Sequence, residues 1–298
     1  MGRQPVIFGE VLFDRFPDGT AVLGGAPFNV AWHLRGFGLE PLMISRLGDD
    51  DSGRNALSAM NGWGLDVAGI QIDSEAPTGS VAVHLEGDTH RFEILEDRAY
   101  DRIDLEAAKE AVSSIEPALL YHGTLATRGQ RSRRALGQLL EARELDVFLD
   151  VNLRTPHWRA ETLPALLDRA RWCKLNDDEV KTLCSAFDIA EETLEGRAAA
   201  LQRRFDIELL IMTRGAAGAW ARAADGETAA TEPTAEIEVV DTVGAGDAFA
   251  SVVIVGLLEQ WPLDVTLRRA QAFASTICGV RGATVADRAF YEAHRPLW

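Results

Sequence analysis

The sequence contains few cysteines, and they form no recognisable pattern. Its 298 residues include three, Cys173, Cys184 and Cys278. The number is odd and the spacing suits no metal site. We therefore expect neither a disulfide framework nor a cysteine-bound metal, which favours a reduced, cytoplasmic setting.

Long apolar segments are also missing. No apolar run reaches the roughly 18 residues of a membrane-spanning helix. The N-terminal MGRQPVIFGE enters a short strand-like run without the apolar region of a signal peptide. These absences predict a cytoplasmic protein without a membrane span.

Positive charge is scarce as well. Thirty Lys and Arg residues face 46 Asp and Glu residues, giving a net charge of −16. Binding to nucleic acid or to anionic lipid needs a basic face, so we expect neither partner. A phosphorylated ligand is not excluded, because a few local donors can hold a phosphate on an acidic protein. The sequence has no Gly-x-x-x-x-Gly-Lys-Ser/Thr motif, which disfavours a P-loop kinase.

Repeats, low-complexity tracts and Ser/Gly-rich linkers are absent too, which predicts a single folded domain. After Asp104, helix-like and strand-like segments alternate. This order predicts an α/β fold with a parallel sheet and helices on its faces. Residues 67–95 differ: short alternating pieces, separated by Gly79, Gly87 and Asp88, predict antiparallel hairpins.

The stretch DTVGAGDAFA, residues 241–250, joins a strand-like run at 237–240 to an apolar helix predicted from Asp247. The amides of Gly244, Ala245 and Gly246 can converge on an anion, since glycine accepts positive φ and the helix N-terminus favours negative charge. Asp247 would repel a phosphate there, unless it accepts the proton of an attacking hydroxyl group. The alternative is an ordinary helix N-cap.

A second stretch, GGAPFNVAWHLRGFG at 24–38, precedes it in the chain. Together the two closely resemble the G-G-x-x-x-N-x-A and D-T-x-G-A-G-D-x-F signatures of the ribokinase-like (PfkB-type) sugar kinases. The resemblance implies one kinase domain over residues 1–298, a three-layer α/β/α fold with a mostly parallel central sheet. It also implies a small β-sheet lid built from about residues 13–23 and 67–98.

The resemblance further implies an ATP-dependent carbohydrate kinase, a phosphotransferase with an alcohol group as acceptor. Asp247 would be the general base, and the backbone of Gly244, Ala245 and Gly246 would form the anion hole for the γ-phosphoryl group. The expected substrate-binding residues are Glu10, Asp14, Gly24, Gly25, Asn29 and Arg154, together with Asp247.

Three further segments resemble nucleotide and metal motifs of the family. Asn176 and Glu179 match an N-x-x-E motif that helps to place Mg²⁺, partly through water, although the same residues suit a helix N-cap. Asn152 and Arg154 match a D-x-N-x-R stretch, in which Arg154 either contacts a phosphate or sugar oxygen or is a buried structural residue. The T-x-G-x-x-G segment contributes the remaining nucleotide-binding residues, Thr213, Arg214, Gly215 and Gly218, beside Gly244 and Gly246.

The resemblance also implies a bound cation, an oligomeric state and a substrate for this chain. Asp241 and the carbonyl of Val243 would hold a monovalent cation such as K⁺, and the lid would form a homodimer. Fructose is the favoured sugar, with a primary hydroxyl group as acceptor. The alternatives are 2-keto-3-deoxygluconate, which would need Arg98, Arg102 or Arg154 against its carboxylate, another sugar or nucleoside, or a non-catalytic sensor that binds a sugar or nucleotide.

Overall fold

The computed structural model describes residues 3–86, 89–232 and 238–295. Its strands and α-helices, in chain order, are β1 Gln4–Phe8, β2 Leu12–Arg15, β3 Ala21–Gly24, α1 Ala26–Gly36, β4 Leu42–Gly48, α2 Asp51–Trp63, β5 Ile70–Asp73, β6 Gly79–Glu86, β7 Thr89–Ile94, α3 Leu105–Ser113, β8 Pro117–Gly123, α4 Gln130–Ala142, β9 Val147–Asp150, α5 Leu163–Leu167, β10 Trp172–Asn176, α6 Asp177–Ala186, α7 Leu194–Arg204, β11 Leu209–Thr213, β12 Ala219–Ala223, β13 Thr228–Ala230, α8 Ala245–Glu259, α9 Leu263–Cys278 and α10 Arg288–Glu292.

The strands form two sheets. Nine make a large sheet in the order β13-β12-β11-β10-β9-β8-β1-β4-β5, and four make a small sheet in the order β3-β2-β6-β7. In the large sheet β1 pairs with β4, and β9 with both β8 and β10, in parallel, whereas β12 is antiparallel to both of its neighbours. The predicted α/β fold with a mostly parallel sheet and a smaller separate sheet is confirmed.

The small sheet differs in extent from the predicted lid segments. Strand β5, which lies within 67–98, pairs in parallel with β4 of the large sheet, starting at Ser45 opposite Ile70. The small sheet instead combines β2 and β3 with the hairpin of β6 and β7. That hairpin was predicted, but Gly87 and Asp88, its expected turn residues, lie outside the described residues.

The chain divides into two compact units, each assembled from separate segments. Unit 1 comprises residues 1–118, 126–145 and 284–292. An aromatic cluster joins three of its helices: Trp32 of α1 stacks on Trp63 of α2 with ring centroids 5.0 Å apart, and Tyr291 of α10 packs on Trp63 at 5.7 Å. The last helix is therefore a structural part of unit 1.

Unit 2 comprises residues 119–125, 146–283 and 293–298. Alternate residues of β9, β10 and β11 pack into one buried cluster with α5, α6 and α7. The strand residues between them point to the opposite face. Helices α8 and α9 pack on each other, and α9 also lies against β12 and β13. Helices thus cover the sheet as the predicted three-layer arrangement requires.

Two local predictions around residue 241 were wrong. Residues 238–240 form no strand, because the amide of Val240 donates to the carbonyl of Cys278 at 2.8 Å instead of joining a ladder. Ile237, the first residue of that expected strand, lies outside the described residues. Helix α8 begins at Ala245, two residues before the predicted start.

Among the helices within 3–86, 89–232 and 238–295, none is both long and apolar enough to span a membrane.

Candidate functional site

A left-handed glycine starts helix α8. Gly244 occupies the N-cap position with φ 79°. A Cβ atom there would collide with the side chain and backbone of Ala283. Positive φ and the lack of space both require glycine at this position. The chain can therefore turn sharply into α8 just where the predicted anion hole lies.

The backbone amides of this turn differ in their hydrogen bonding. The amide of Ala245 donates to the carbonyl of Thr242 at 3.3 Å. The amide of Gly246 belongs to the first helical turn, whose leading amides have no acceptor one turn earlier in the helix. It also lies at the positive end of the helix dipole. Gly246 is thus better placed than Ala245 to donate to an anion, and the role of the loop as an anion hole stays a prediction.

Asp247 does not cap the helix. It is the third residue of α8 and is half-buried, while Gly244 holds the N-cap position. The alternative interpretation of Asp247 as an ordinary N-cap is therefore wrong. A carboxylate in the first turn still gains from the helix dipole, so its presence does not by itself prove catalysis.

Asp241 ties two loops of unit 2 together. Its Oδ1 accepts the amide of Val243 at 3.0 Å, and its Oδ2 accepts the amide of Gly282 at 3.1 Å. The loop before α8 and the loop after α9 are thereby held at a fixed distance. The monovalent cation expected at Asp241 and Val243 stays a prediction.

Asn176 and Glu179 cap helix α6 reciprocally. The amide of Glu179 donates to Asn176 Oδ1 at 2.9 Å, and the amide of Asn176 donates to Glu179 Oε2 at 2.8 Å. The other oxygen, Oε1, accepts the amide of Leu153 at 2.7 Å. The predicted capping role is confirmed. Burial raises the pKa of Glu179, and the nearby Asp150 carboxylate adds to this, although the amide bonds oppose it.

This environment suits a magnesium ion that interacts with Glu179 through a water molecule. Mg²⁺ keeps several waters and takes few carboxylates. Both oxygens of Glu179 already accept an amide, and the side chain is 6% exposed. Glu179 therefore suits a role through water rather than direct coordination. No group of three or more His, Cys, Asp or Glu residues arranged for a metal occurs in the described part of the chain.

The segment after β9 shows backbone strain. Asn152 has φ 40°, an uncommon left-handed conformation for a residue other than glycine. Its carbonyl accepts the hydroxyl group of Thr124 at 3.3 Å. Arg154 is exposed, so the alternative of a buried structural arginine is wrong. The binding roles of Asn152 and Arg154 stay predictions.

The predicted nucleotide segment forms a tight turn after β11. The amide of Arg214 donates to the carbonyl of Gly218 at 2.8 Å. Gly218 has φ 90°, and a Cβ there would lie 2.6 Å from the carbonyl oxygen of Thr231. The Arg214 guanidinium bonds Glu195 at 3.2 Å. Thr213 ends β11 and Gly215 begins the turn, so all four predicted residues are brought together in unit 2.

The predicted sugar-binding residues converge in unit 1. A Cβ atom on Gly24 would lie 3.8 Å from Asn29 Oδ1 and 4.0 Å from Asp14 Oδ2. On Gly25, which has φ 111°, it would lie 2.7 Å from the carbonyl oxygen of Glu10. Glu10 is 3% and Asn29 is 4% exposed. Five of the predicted positions, from three chain segments, thus lie close together in unit 1, whereas Asp247 belongs to unit 2. Their role in sugar binding stays a prediction.

Sequence reasoning missed two buried ion pairs beside these groups. In unit 2, Lys174 donates to both oxygens of Asp150 at 2.9 Å. In unit 1, Arg128 pairs with Asp101 at 2.8 Å and lies over the ring of Tyr100. The available signal was a lysine within the otherwise apolar run of β10, because charged residues are almost never buried unless they are paired.

Several known proteins are similar to this chain over most of its length. Residues 7–288 match the profile of the pfkB family carbohydrate kinases. A protein named fructokinase from Klebsiella pneumoniae is 30% identical over 264 residues, covering 84% of this chain and 83% of that protein. Probable fructokinase-5 of Arabidopsis thaliana is 28% identical over 306 residues, with 94% and 91% covered. The crystal structure of a fructokinase with bound ATP from Xylella fastidiosa superposes with a TM-score of 0.86 at 22% identity, covering 100% of this chain and 99% of that one.

Proposed function

Because the chain belongs to the pfkB family of carbohydrate kinases, which the match over residues 7–288 shows, we propose that it transfers the γ-phosphoryl group of ATP to a hydroxyl group of a small neutral sugar, with fructose favoured. The relatives from Klebsiella pneumoniae and Arabidopsis thaliana carry fructokinase names. The similar fold from Xylella fastidiosa holds ATP, which supports ATP as the donor.

The observation that carries the choice of a neutral sugar is the grouping of Glu10, Asp14 and Asn29 around Gly24 and Gly25. Carboxylates and amides accept and donate hydrogen bonds in the pattern that vicinal hydroxyl groups present. The two glycines leave room for a sugar ring against the backbone. Two carboxylates in one small site also repel an anionic ligand.

The same repulsion disfavours a sugar acid such as 2-keto-3-deoxygluconate. Among the arginines considered for its carboxylate, Arg102 pairs with Glu75 at 3.5 Å on the surface. The backbone amide of Arg98 donates to Asp101 Oδ2 at 3.0 Å, but its guanidinium Nε is a buried atom without a hydrogen-bond partner among the described residues. Arg98 and the exposed Arg154 therefore keep the sugar acid as the alternative substrate, which the substrate panel below distinguishes from a neutral sugar.

In the proposed reaction a sugar hydroxyl oxygen, favoured to be primary, attacks the γ-phosphorus of ATP. The bond from that phosphorus to the bridging oxygen breaks, and ADP leaves. Asp247 accepts the hydroxyl proton, which increases the nucleophilicity of the oxygen. The backbone amides of Gly244, Ala245 and Gly246 at the start of α8, that of Gly246 foremost, stabilise the charge on the transferring group.

When Mg²⁺ is bound with ATP, it neutralises charge on the β- and γ-phosphates. Glu179 would hold it through water, with Asn176 fixing the orientation of the Glu179 carboxylate through the capping bonds. Asp241 would hold the loop before α8 in place, and a monovalent cation there would add to the same effect. Asn152 would contact the nucleotide, as would Thr213, Arg214, Gly215 and Gly218. Arg154 would contact a sugar oxygen or a phosphate.

We assign the small sheet the role of a lid. Closure over a bound sugar would exclude water and limit hydrolysis of ATP. Phe92 and Val22 of this sheet are 52% and 37% exposed. Such exposed apolar side chains and free strand edges suit contact with a second copy of the chain, so we propose a homodimer formed through the lid.

The proposal is tested by ADP release from Mg·ATP with a panel of fructose, other ketohexoses, aldohexoses, nucleosides and 2-keto-3-deoxy acids, against a control without sugar. We expect fructose to give the highest kcat/KM and the sugar acids the lowest. Highest turnover with a sugar acid would contradict the neutral-sugar assignment. Tight binding of one ligand without any turnover would instead establish the non-catalytic sensor.

A further inference from the structure

Lysine is rare in this protein. Of the thirty basic residues, only Lys109, Lys174 and Lys181 are lysines, and the other 27 are arginines. Lys109 and Lys181 lie on the surface in ion pairs with carboxylates of their own helices. Lys174 alone of the three is buried, with a side chain that is 8% exposed. A buried lysine in an arginine-rich chain needs a specific explanation.

The ammonium group of Lys174 is held firmly in place. Its Nζ donates to Oδ1 and Oδ2 of Asp150, which lies directly opposite on β9, at 2.9 Å each. The hydroxyl group of Tyr121 donates to Oδ2 of the same carboxylate at 3.1 Å. Lys174 and Asp150 occupy the face of the sheet opposite to the cluster that contains Cys173 and Leu175.

This position places the ammonium group beside the first turn of α8. A Cβ atom built on Gly246 would lie 3.6 Å from Lys174 Nζ. The carboxylates of Asp150, Glu179 and Asp247 all act on the ammonium group. Its ion pair with both oxygens of Asp150 places a positive charge next to the loop.

The positive charge of Lys174 can offset negative charge at the predicted anion hole. Three carboxylates near one phosphate site would repel ATP and the transition state strongly, because charges interact more in a poorly solvated interior than in water. A fixed cation offsets this repulsion without reorganising during the reaction. A lysine suits the space next to Gly246 because its ammonium is compact, whereas a planar guanidinium is larger.

We propose that Lys174 is a positioning residue for phosphoryl transfer: held by Asp150, its ammonium group supports the Gly246 turn and offsets the negative charge around the transferring phosphoryl group. The inference rests on the proposed kinase function. It differs from a purely structural ion pair, which would contribute to folding but leave kcat per folded molecule unchanged.

The test compares the unaltered chain with Lys174→Met, which keeps the length of the side chain and removes its charge. Lys109→Met is the matched control, since it makes the same change on the surface. Steady-state kinetics with fructose, or with the panel sugar turned over fastest, are combined with calorimetric titration of that sugar. The titration gives the fraction of molecules that are folded and bind.

We expect Lys174→Met to lower kcat by about a hundredfold, the scale of losing one group that stabilises the transition state. The KM of the sugar should change less than about threefold, with a binding stoichiometry near one. Lys109→Met should match the unaltered chain. A kcat for Lys174→Met within threefold of the unaltered chain would overturn this inference but not the proposed function. No turnover by the unaltered chain with any panel sugar would overturn the proposed function as well.

Removing Lys174 alone leaves Asp150 buried without its counter-ion, which can prevent folding. The double variant Lys174→Met with Asp150→Leu removes both charges, and such apolar replacements of buried pairs are often tolerated. We expect it to fold and to remain at least tenfold below the unaltered chain in kcat. Recovery of kcat to within threefold would show that the charge is not needed.

Discussion

Gly25 and Glu10 approach each other so closely that no side chain fits between them. A Cβ atom on Gly25 would lie 2.7 Å from the Glu10 carbonyl oxygen, and the φ of Gly25 is 111°. The backbone after β3 is thus pressed against the segment that carries Glu10, immediately before helix α1. This contact fixes the relative positions of the predicted sugar-binding residues.

Gly25→Ala should therefore damage both stability and sugar binding. The positive φ costs about 1–3 kcal/mol for a residue other than glycine, and the overlap with Glu10 adds to this cost. We expect a lower Tm by differential scanning calorimetry and at least a tenfold higher KM for the sugar. Gly62→Ala in helix α2, where the added Cβ meets nothing within 4 Å, should raise the Tm slightly. Equal Tm and KM for both variants would contradict this assignment.

Asp14→Asn isolates the charge of one predicted sugar ligand while keeping its shape. A lost charge-assisted hydrogen bond costs about 1.5–3 kcal/mol, which corresponds to a rise in KM of roughly 10- to 100-fold for fructose. The Tm should hardly change. Asp49→Asn is the control, because the Asp49 side chain is 67% exposed and pairs only at the surface with Arg54. An unchanged fructose KM in Asp14→Asn would remove Asp14 from the site.

The buried imidazole of His122 makes the stability of the fold depend on pH. It is fully buried on β8, and burial lowers its pKa to about 4 from the ordinary value of 6.5. Between these values the unfolded chain binds a proton that the folded chain does not. Stability is therefore lost as the pH falls from 6.5 to 4, by up to about 3 kcal/mol for this group. His294, whose pKa burial also lowers, adds to the same slope.

The contribution of His122 can be measured by thermal unfolding at a series of pH values from 7 to 4. His122→Gln should flatten the fall in Tm over this range, although it also lowers the Tm at neutral pH by disturbing the core. Gly62→Ala, which alters no titratable group, should leave the slope unchanged. If His122→Gln and the unaltered chain lost stability in parallel, the assignment of the slope to His122 would be wrong.

Much of the fold followed from the sequence because its signals are local. The alternation of helices and strands predicted the mostly parallel sheet, and Gly25 and Gly244 marked turns with close backbone contacts. The start of α8 did not follow, since Asp247 is a good N-cap residue, whereas the actual N-cap, Gly244, depends on a tertiary contact with Ala283.

The features that were missed depend on neighbours distant in the chain. The alternating run before Asp241 suggested a strand, but the backbone of Val240 bonds Cys278 rather than a strand partner. Lys174 was hidden in an apolar strand, and its pairing with Asp150 depends on the register of β9 and β10. The role of β5 in the large sheet depends in the same way on its pairing with β4.

The central claim is that Asp247 is the general base of a sugar kinase, and Asp247→Asn tests it most directly. ADP and sugar phosphate formed from Mg·ATP and fructose should be measured together for the variant and the unaltered chain. We predict a kcat lower by roughly 10² to 10⁴, the scale of losing a general base, with sugar binding by calorimetric titration nearly unchanged. A kcat within a few-fold of the unaltered chain would show that Asp247 only stabilises the start of α8, and would contradict the proposed mechanism.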